Sequence, residues 1–225
     1  MSMVHEAICR LIGGNKKGHL LDAAAGEGAL SIPLSEMGFK VISCDLYKWD
    51  RLHVPFVNAD LNQHLPFKDM IFDYIVCAES LQYLENQHIA FREFERILKK
   101  GGHLIISVPN ILNIRSRLYF LRRGYFQNFK PFRNMQSHRK WDSFIYNIIS
   151  FVDIYFLLKQ NGFNLNRITA PCLRYRGLLS AIALRVLYYT GMIFDKNPEK
   201  RDLLRILASN ELLFGDHIII DAIKI

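Results

Sequence analysis

Apolar and polar positions along the first half of the chain alternate between two rhythms. Residues 4–12 space their apolar side chains as a short amphipathic helix that stops at Gly13 and Gly14. Residues 19–24 form a short apolar run, a first strand, and the turn Ala25-Gly26-Glu27-Gly28 leads into a helix over 29–37 closed by Gly38. Strands follow at 40–45, 55–58 and 72–77. Helical spacing of Ile89, Phe91, Phe94, Ile97 and Leu98 predicts a helix over 87–99, which Gly101 and Gly102 are expected to stop before a fifth strand at 103–108. Strand and helix in alternation predict an α/β fold, a largely parallel sheet with helices on both faces. After Pro109 the rhythm changes. Helices are predicted over 114–122, 151–161, 178–193 and 198–208, with strands at 163–169 and 216–225. No internal repeat, low-complexity tract or linker interrupts the 225 residues, so one domain spanning 1–225 is expected.

Charge changes that picture in one place. The net charge is +8, yet it is not spread along the chain. Residues 113–141 hold Arg115, Arg117, Arg122, Arg123, Lys130, Arg133, Arg139 and Lys140 and contain no Asp or Glu, leaving the remainder balanced at 21 basic and 21 acidic residues. This stretch, taken as 113–150, reads as a basic cap inserted into the α/β frame. The aromatics Tyr119, Tyr125, Phe126, Phe129 and Phe132 lie within it. A solvated helix and loop, an anion-binding lid, a membrane-facing surface and an RNA-binding surface are all compatible with that composition.

The cysteines, Cys9, Cys44, Cys77 and Cys172, have neither metal-ligand nor redox spacing. Cys44 and Cys77 fall inside predicted strands, so buried free thiols and a reducing, cytoplasmic setting are expected. Residues 1–11 include His5, Glu6 and Arg10 and do not resemble a signal peptide. The apolar stretch 177–194 is interrupted by Arg185 and is shorter than the ~20 residues a membrane span needs, so a buried or surface-docking helix is expected there.

Candidate chemistry concentrates where predicted strands end. Asp22-Ala23-Ala24-Ala25-Gly26-Glu27-Gly28 takes an apolar strand into a glycine turn that opens a helix, where bare backbone and free N–H groups can meet a ligand. The third glycine of the dinucleotide fingerprint is absent, because Ser31 stands there. Asp22 would repel a pyrophosphate but suits a ligand with a cationic amino group and a sulfonium. Asp45, followed by Leu46, ends the second strand, where an acid can accept hydrogen bonds from ribose hydroxyls or cap a turn. Asp60 could reach an adenine amino group with Leu61 over the ring, or be a solvated turn residue. Ala78-Glu79-Ser80 follows the fourth strand on the side facing the ligand's reactive end.

Together these stretches resemble the class I S-adenosylmethionine-dependent methyltransferases, specifically the methyltransferase type 11 group. The likeness rests on Asp22 to Gly28, Asp45, Asp60-Leu61, Glu79-Ser80-Leu81-Gln82-Tyr83-Leu84-Glu85-Asn86, Leu98 to Gly102 and Ser107-Val108-Pro109-Asn110. It is strong over 20–110 and looser over 151–163 and 212–224. Tyr83 departs from it, since relatives often have His there. The resemblance implies a Rossmann-like seven-stranded mixed sheet ordered 3-2-1-4-5-7-6 with strand 7 antiparallel. It also implies S-adenosylmethionine as cofactor, held by Asp22, Ala23, Ala24, Gly26, Gly28, Asp45, Leu46, Asp60, Leu61, Ala78, Glu79 and Ser80.

Methyl transfer needs the acceptor held in line, and a base only where the acceptor keeps its proton. His138 in the basic cap and Tyr83 after the fourth strand are the candidate bases. The turn after the fourth strand lacks the Pro-Pro-aromatic pattern of enzymes that methylate nucleobase amines, and nucleic acid is the less expected partner. A small, lipid-linked or glycan acceptor, anionic or interfacial and methylated on oxygen, is the preferred reading, with peripheral contact to the inner face of a membrane. An RNA methyltransferase, a non-catalytic S-adenosylmethionine-binding protein and a nicotinamide oxidoreductase remain as alternatives, the last disfavoured by Asp22 and Ser31.

Overall fold

The structure is a computed structural model, which describes residues 2–49, 53–127, 129 and 147–225. The first two elements are α1 (Met3–Ile12), with Ser2 accepting from the His5 amide, and β1 (His19–Ala23). They are followed by α2 (Ser31–Glu36), β2 (Lys40–Asp45), β3 (Phe56–Asn58), β4 (Phe72–Ala78) and a 3-10 turn over Leu81–Tyr83. Next come α3 (Gln87–Ile97), β5 (Leu98–Pro109), α4 (Ile114–Arg123), α5 (Phe151–Gln160) and β6 (Phe163–Thr169). The chain finishes with α6 (Leu178–Phe194), α7 (Pro198–Leu207), α8 (Asn210–Phe214) and β7 (His217–Lys224).

Seven strands form one sheet ordered β3-β2-β1-β4-β5-β7-β6. The first five run parallel, while β7 is antiparallel to both β5 and β6. The expected order and the reversed last strand are therefore both present. Side chains that alternate across the strands feed two cores, one per face. Leu21, Cys44, Ile75 and Cys77 pack with Phe91 and Phe94 of α3 and with Ile154 and Leu158 of α5. Leu20, Val41, Tyr74 and Val76 pack with Ile8 and Ile12 of α1 and Leu34 of α2. Covered on both faces, β1 buries all but His19 and β4 five of its seven residues, which is why these runs read as near-continuously apolar.

The largest difference from the expected bounds lies between α3 and β5, the others shifting by two residues at most. Gly101 and Gly102 do not stop a helix; α3 ends at Ile97 and both glycines lie inside β5. Pairing between β4 and β5 shifts register between Phe72 and Tyr74, opposite this stretch. Gly101 has φ +73°, and a Cβ on Gly102 would sit 2.8 Å from the Lys99 carbonyl oxygen and 3.0 Å from that of Asp73. These glycines allow a bulge and a close strand approach, not a helix C-cap. The short helix α8 and the 3-10 turn are also additions to the predicted elements.

The loop between β3 and β4 is tied down by Arg96 on α3. Its guanidinium donates to Glu93 Oε2 (2.7 Å), Asp69 Oδ1 (2.7 Å) and the carbonyls of Leu65 and Phe67. Glu93 is buried and also accepts from the Leu65 amide. No helix among the described residues is long and apolar enough to cross a membrane. The apolar stretch beginning at 177 is a surface helix, since only Ala181 of α6 is buried.

Candidate functional site

The parallel strands β1 to β4 end along one edge of the sheet, and each delivers an acid to it: Asp22, Asp45, Asp60 just past β3, and Glu79 just past β4. Ligands in open α/β sheets lie at this edge.

The turn after β1 is held by backbone contacts that leave its outer side bare. Ala24 and Ala25 donate to the Cys44 carbonyl at 2.9 and 3.1 Å, and Gly28 donates to Ala25 at 3.0 Å. Ala24 has φ +63°, Gly26 +53° and Gly28 +80°. A non-glycine residue in that region costs of order 1–3 kcal/mol and is found where surrounding structure enforces it. A Cβ placed on Gly26 would meet no atom within 4 Å, so open space flanks the turn.

Asp22 is fully buried and accepts a hydrogen bond from the Ser31 hydroxyl at 2.5 Å. Ser31 thus stands in place of a third glycine because its hydroxyl is the partner of Asp22. Burial pushes the Asp22 carboxyl up to about 6; the Ser31 hydroxyl opposes that shift, and the neighbouring Asp45 charge adds to it. Asp45 is half-buried and braces the same turn, accepting from the Gly26 amide at 2.8 Å and the Tyr47 amide at 3.3 Å. Each of its oxygens keeps a further lone pair for a ligand. Leu46 beside it is exposed.

Asp60 accepts from the Asn62 amide and side chain at 2.8 and 3.0 Å and from the Gln63 side chain at 3.3 Å, an Asx-turn arrangement. Asn62 in turn accepts from the amides of Glu85 and Asn86, so the β3 and β4 loops are joined. Leu61 is buried in the core beneath. Ala78 is half-buried, and Ser80 is buried with its hydroxyl 2.9 Å from the Cys77 sulfur. Burial raises the thiols of Cys44 and Cys77 to about 12, so both are inert.

Glu79 is the second strained residue of the site, with φ +54°. Its carboxylate accepts from the Ser107 hydroxyl at 2.9 Å and lies 3.4 Å from His217 Nε2. Burial raises its carboxyl above the usual glutamate range, while His217 and the Ser107 hydroxyl act in the opposite direction. His217 and Ser107 were not singled out from sequence. The signal was available in the antiparallel last strand: β7 begins beside the end of β5, and the pair Pro109–His217 places this histidine at the ligand edge. The Gln82 side chain donates to the Glu79 carbonyl at 2.7 Å. Its buried Oε1 has no hydrogen-bond partner among the described residues, which leaves an acceptor beside Glu79 for a donor from outside.

Of the two candidate bases, Tyr83 lies at the end of the 3-10 turn with its side chain exposed. His138 lies outside the described residues. The described part of the basic cap is residues 113–127, 129 and 147–150: α4 packs against α6 and α8 with Arg115 3.5 Å from Asp216, and the Asn147 side chain donates to the Leu84 and Glu85 carbonyls after β4.

The residues present fit S-adenosylmethionine better than a dinucleotide. The edge offers four carboxylates and a bare glycine turn, a set of acceptors matched to a cationic ligand with ribose hydroxyls and hostile to a pyrophosphate.

Comparison with known proteins agrees with that chemistry. The family described as "Methyltransferase domain" matches residues 4–167. Demethylmenaquinone methyltransferase of Streptomyces griseus subsp. griseus is 32% identical over 98 residues, covering 39% of this chain and 40% of that protein. An uncharacterized protein of Methanocaldococcus jannaschii is 32% identical over 146 residues, covering 64% of this chain and 61% of its own length. The matched stretches thus span 40% and 61% of these curated relatives, under two thirds of either. Among solved structures, a SAM-dependent methyltransferase from Archaeoglobus fulgidus superposes with a TM-score of 0.63 at 17% identity, over 99% of this chain and 93% of that one.

Proposed function

The chain belongs to the methyltransferase-domain family, and from that premise we propose that it transfers the methyl group of S-adenosylmethionine to a small or lipid-linked acceptor, on oxygen. The observation that carries the reading is the row of acids Asp22, Asp45, Asp60 and Glu79 around the bare Gly26 turn. When bound, the cofactor supplies a methyl group already activated by its positive sulfur. Asp22 answers the cationic amino group, and Asp45 accepts the ribose hydroxyls while bracing the turn through Gly26. The backbone of Ala23, Ala24, Gly26 and Gly28 borders the cofactor. Leu46, Asp60 and Leu61 flank the adenine, and Ala78, Glu79 and Ser80 face the reactive end. The protein's share of the rate comes from holding the acceptor in line and excluding water.

An acceptor hydroxyl must lose its proton. Glu79 is the best-placed group to take it, because burial raises its carboxyl and His217 lies at 3.4 Å to share the proton. Tyr83 and His138 are the alternatives from sequence. The segment 113–150 is read as a cap over the acceptor within one domain, favouring an anionic or interfacial substrate and contact with the inner face of a membrane. The similarity to a demethylmenaquinone methyltransferase supports a lipid-linked acceptor over RNA.

The test supplies methyl-labelled S-adenosylmethionine with a membrane lipid extract or with total RNA. Label entering the organic phase is the expected outcome. Label entering RNA would establish the RNA reading instead. Binding of S-adenosylhomocysteine with no transfer to any fraction would make the protein a non-catalytic binder.

A further inference from the structure

The helix α6 wears its polarity inside out. Its single charged residue, Arg185, turns inward and donates to the Ala208 carbonyl (3.0 Å) and to Asn210 (2.6 Å). Leu179, Ile182, Val186, Tyr189 and Ile193 recur at helical spacing along the face turned away from Ala181 and Leu184, and all are exposed, with Leu178, Leu187 and Phe194 beside them. Leu179 is 83% exposed, Ile193 77% and Phe194 85%. A contiguous apolar face of this kind marks an interaction surface.

What lies next to it identifies the partner. Ile114 of α4 and Ala181 of α6 share one small core with Leu213 and Phe214, and Arg117 sits over the Tyr188 ring at 5.8 Å. The two helices are therefore neighbours. Beyond that contact α4 exposes Leu121 (81%) and Phe120, followed at once by the exposed Arg122 and Arg123. A cavity of about 300 Å³ on this helix is lined by Arg115, Leu118, Tyr119, Arg122, Arg123 and Gln127. Arg115 is paired with Asp216 at 3.5 Å, and residues 113–141 themselves contain no acid to offset Arg122 and Arg123. Exposed Arg176 stands just before α6.

We propose that α4 and α6 together form a docking surface for a bilayer carrying anionic headgroups. The apolar face of α6 with Leu121 enters the headgroup boundary, and the α4 arginines, with the cavity between them, hold lipid phosphates at its margin. Apolar side chains flanked by arginines are the composition of interfacial helices, which bind by apolar burial together with attraction to acidic lipid. A second copy of this chain would offer the same arginines and repel them, which favours lipid as the occupant. The surface extends the lipid-linked acceptor reading above, and its test reads attachment and cofactor binding separately.

Co-sedimentation of the full chain with phosphatidylcholine vesicles, with and without phosphatidylglycerol, tests the surface. The expected result is binding to the acidic vesicles only, weakened by salt. The double variants Leu179→Glu with Ile193→Glu, and Arg122→Glu with Arg123→Glu, should each lower it by about tenfold or more. Calorimetry with S-adenosylhomocysteine should give wild-type affinity for both variants, which also reports that they fold. Equal binding to neutral vesicles, or acidic-vesicle binding untouched by the arginine variant, overturns the proposal. So does a wild-type dimer that does not sediment with vesicles and that the α6 variant dissociates. Loss of S-adenosylhomocysteine binding by the wild type sinks the cofactor reading and leaves the surface standing.

Discussion

The cofactor edge and the α4–α6 face use the same materials in opposite ways. At the edge, charge is buried and organised: Asp22 has Ser31, Asp45 has the Gly26 amide, Glu79 has Ser107 and His217. On the α4–α6 face, charge stays in solvent and the large apolar side chains stand outside with it. The family match ends at residue 167, so the first region lies within it except His217, whereas α6 lies beyond it. The lesson concerns selection of side chains by partner. An edge built for one small cation needs fixed carboxylates and strained backbone at Ala24 and Glu79. The surface proposed to meet a bilayer needs exposed area, and it gives up the ~1.5–3 kcal/mol that burying each large apolar side chain would contribute.

The comparison breaks first where the edge depends on buried ion pairs. Arg96→Ala should destabilise the fold by about 3–5 kcal/mol, because buried Glu93 would keep only the Leu65 amide and His64, and the Leu65 and Phe67 carbonyls would lose their donor. Denaturant unfolding measures this; a loss under about 1 kcal/mol would mean the loop between β3 and β4 does not depend on the pair.

Acidity is the next lever. The folded Asp22 carboxyl, at about 6, holds its proton more tightly than the ordinary value of 3.8. Its contribution to stability is therefore fully present below pH 3.8 and declines as pH rises to about 6, by about 3 kcal/mol for the free protein. Asp22→Asn should flatten the pH–stability curve across that window. Because a cationic ligand favours the ionised form, cofactor affinity of the wild type should rise from pH 5 to pH 7. A pH-independent affinity would remove Asp22 from the ligand's contacts.

The smallest effect belongs to the other region. Leu179→Ala should change stability by less than about 0.5 kcal/mol, since Leu179 is 83% exposed. A loss of 2 kcal/mol or more, read from the same unfolding curves, would show that this side chain packs against something in solution.

Much of this division was legible in the residues. The bounds of β2 and β6 agree with the sequence reading, and Asp45 follows from where the apolar run of β2 stops. The glycines at 101 and 102 misled because a helix C-cap and a strand bulge use the same residue for the same conformational freedom; only the packing of Gly102 against Asp73 distinguishes them. Glu79, His217 and Ser107 meet through strands far apart in sequence, so the cluster follows from the strand order that puts β7 beside β5 and not from local patterning. Arg185 read as an interruption of an apolar stretch, whereas its hydrogen bonds to the residues after α7 fix which side of α6 faces solvent. His138 falls among residues that the structure does not describe.

The central claim is that the acid-lined edge takes S-adenosylmethionine and not a dinucleotide. Isothermal titration of the full chain with S-adenosylhomocysteine and, separately, with NAD tests it most directly, with Asp45→Ala as the internal control. The account predicts binding of the adenosyl compound, none of NAD, and an affinity lowered by about 1.5–3 kcal/mol in the variant. Binding of NAD, with none of the adenosyl compound, would contradict it.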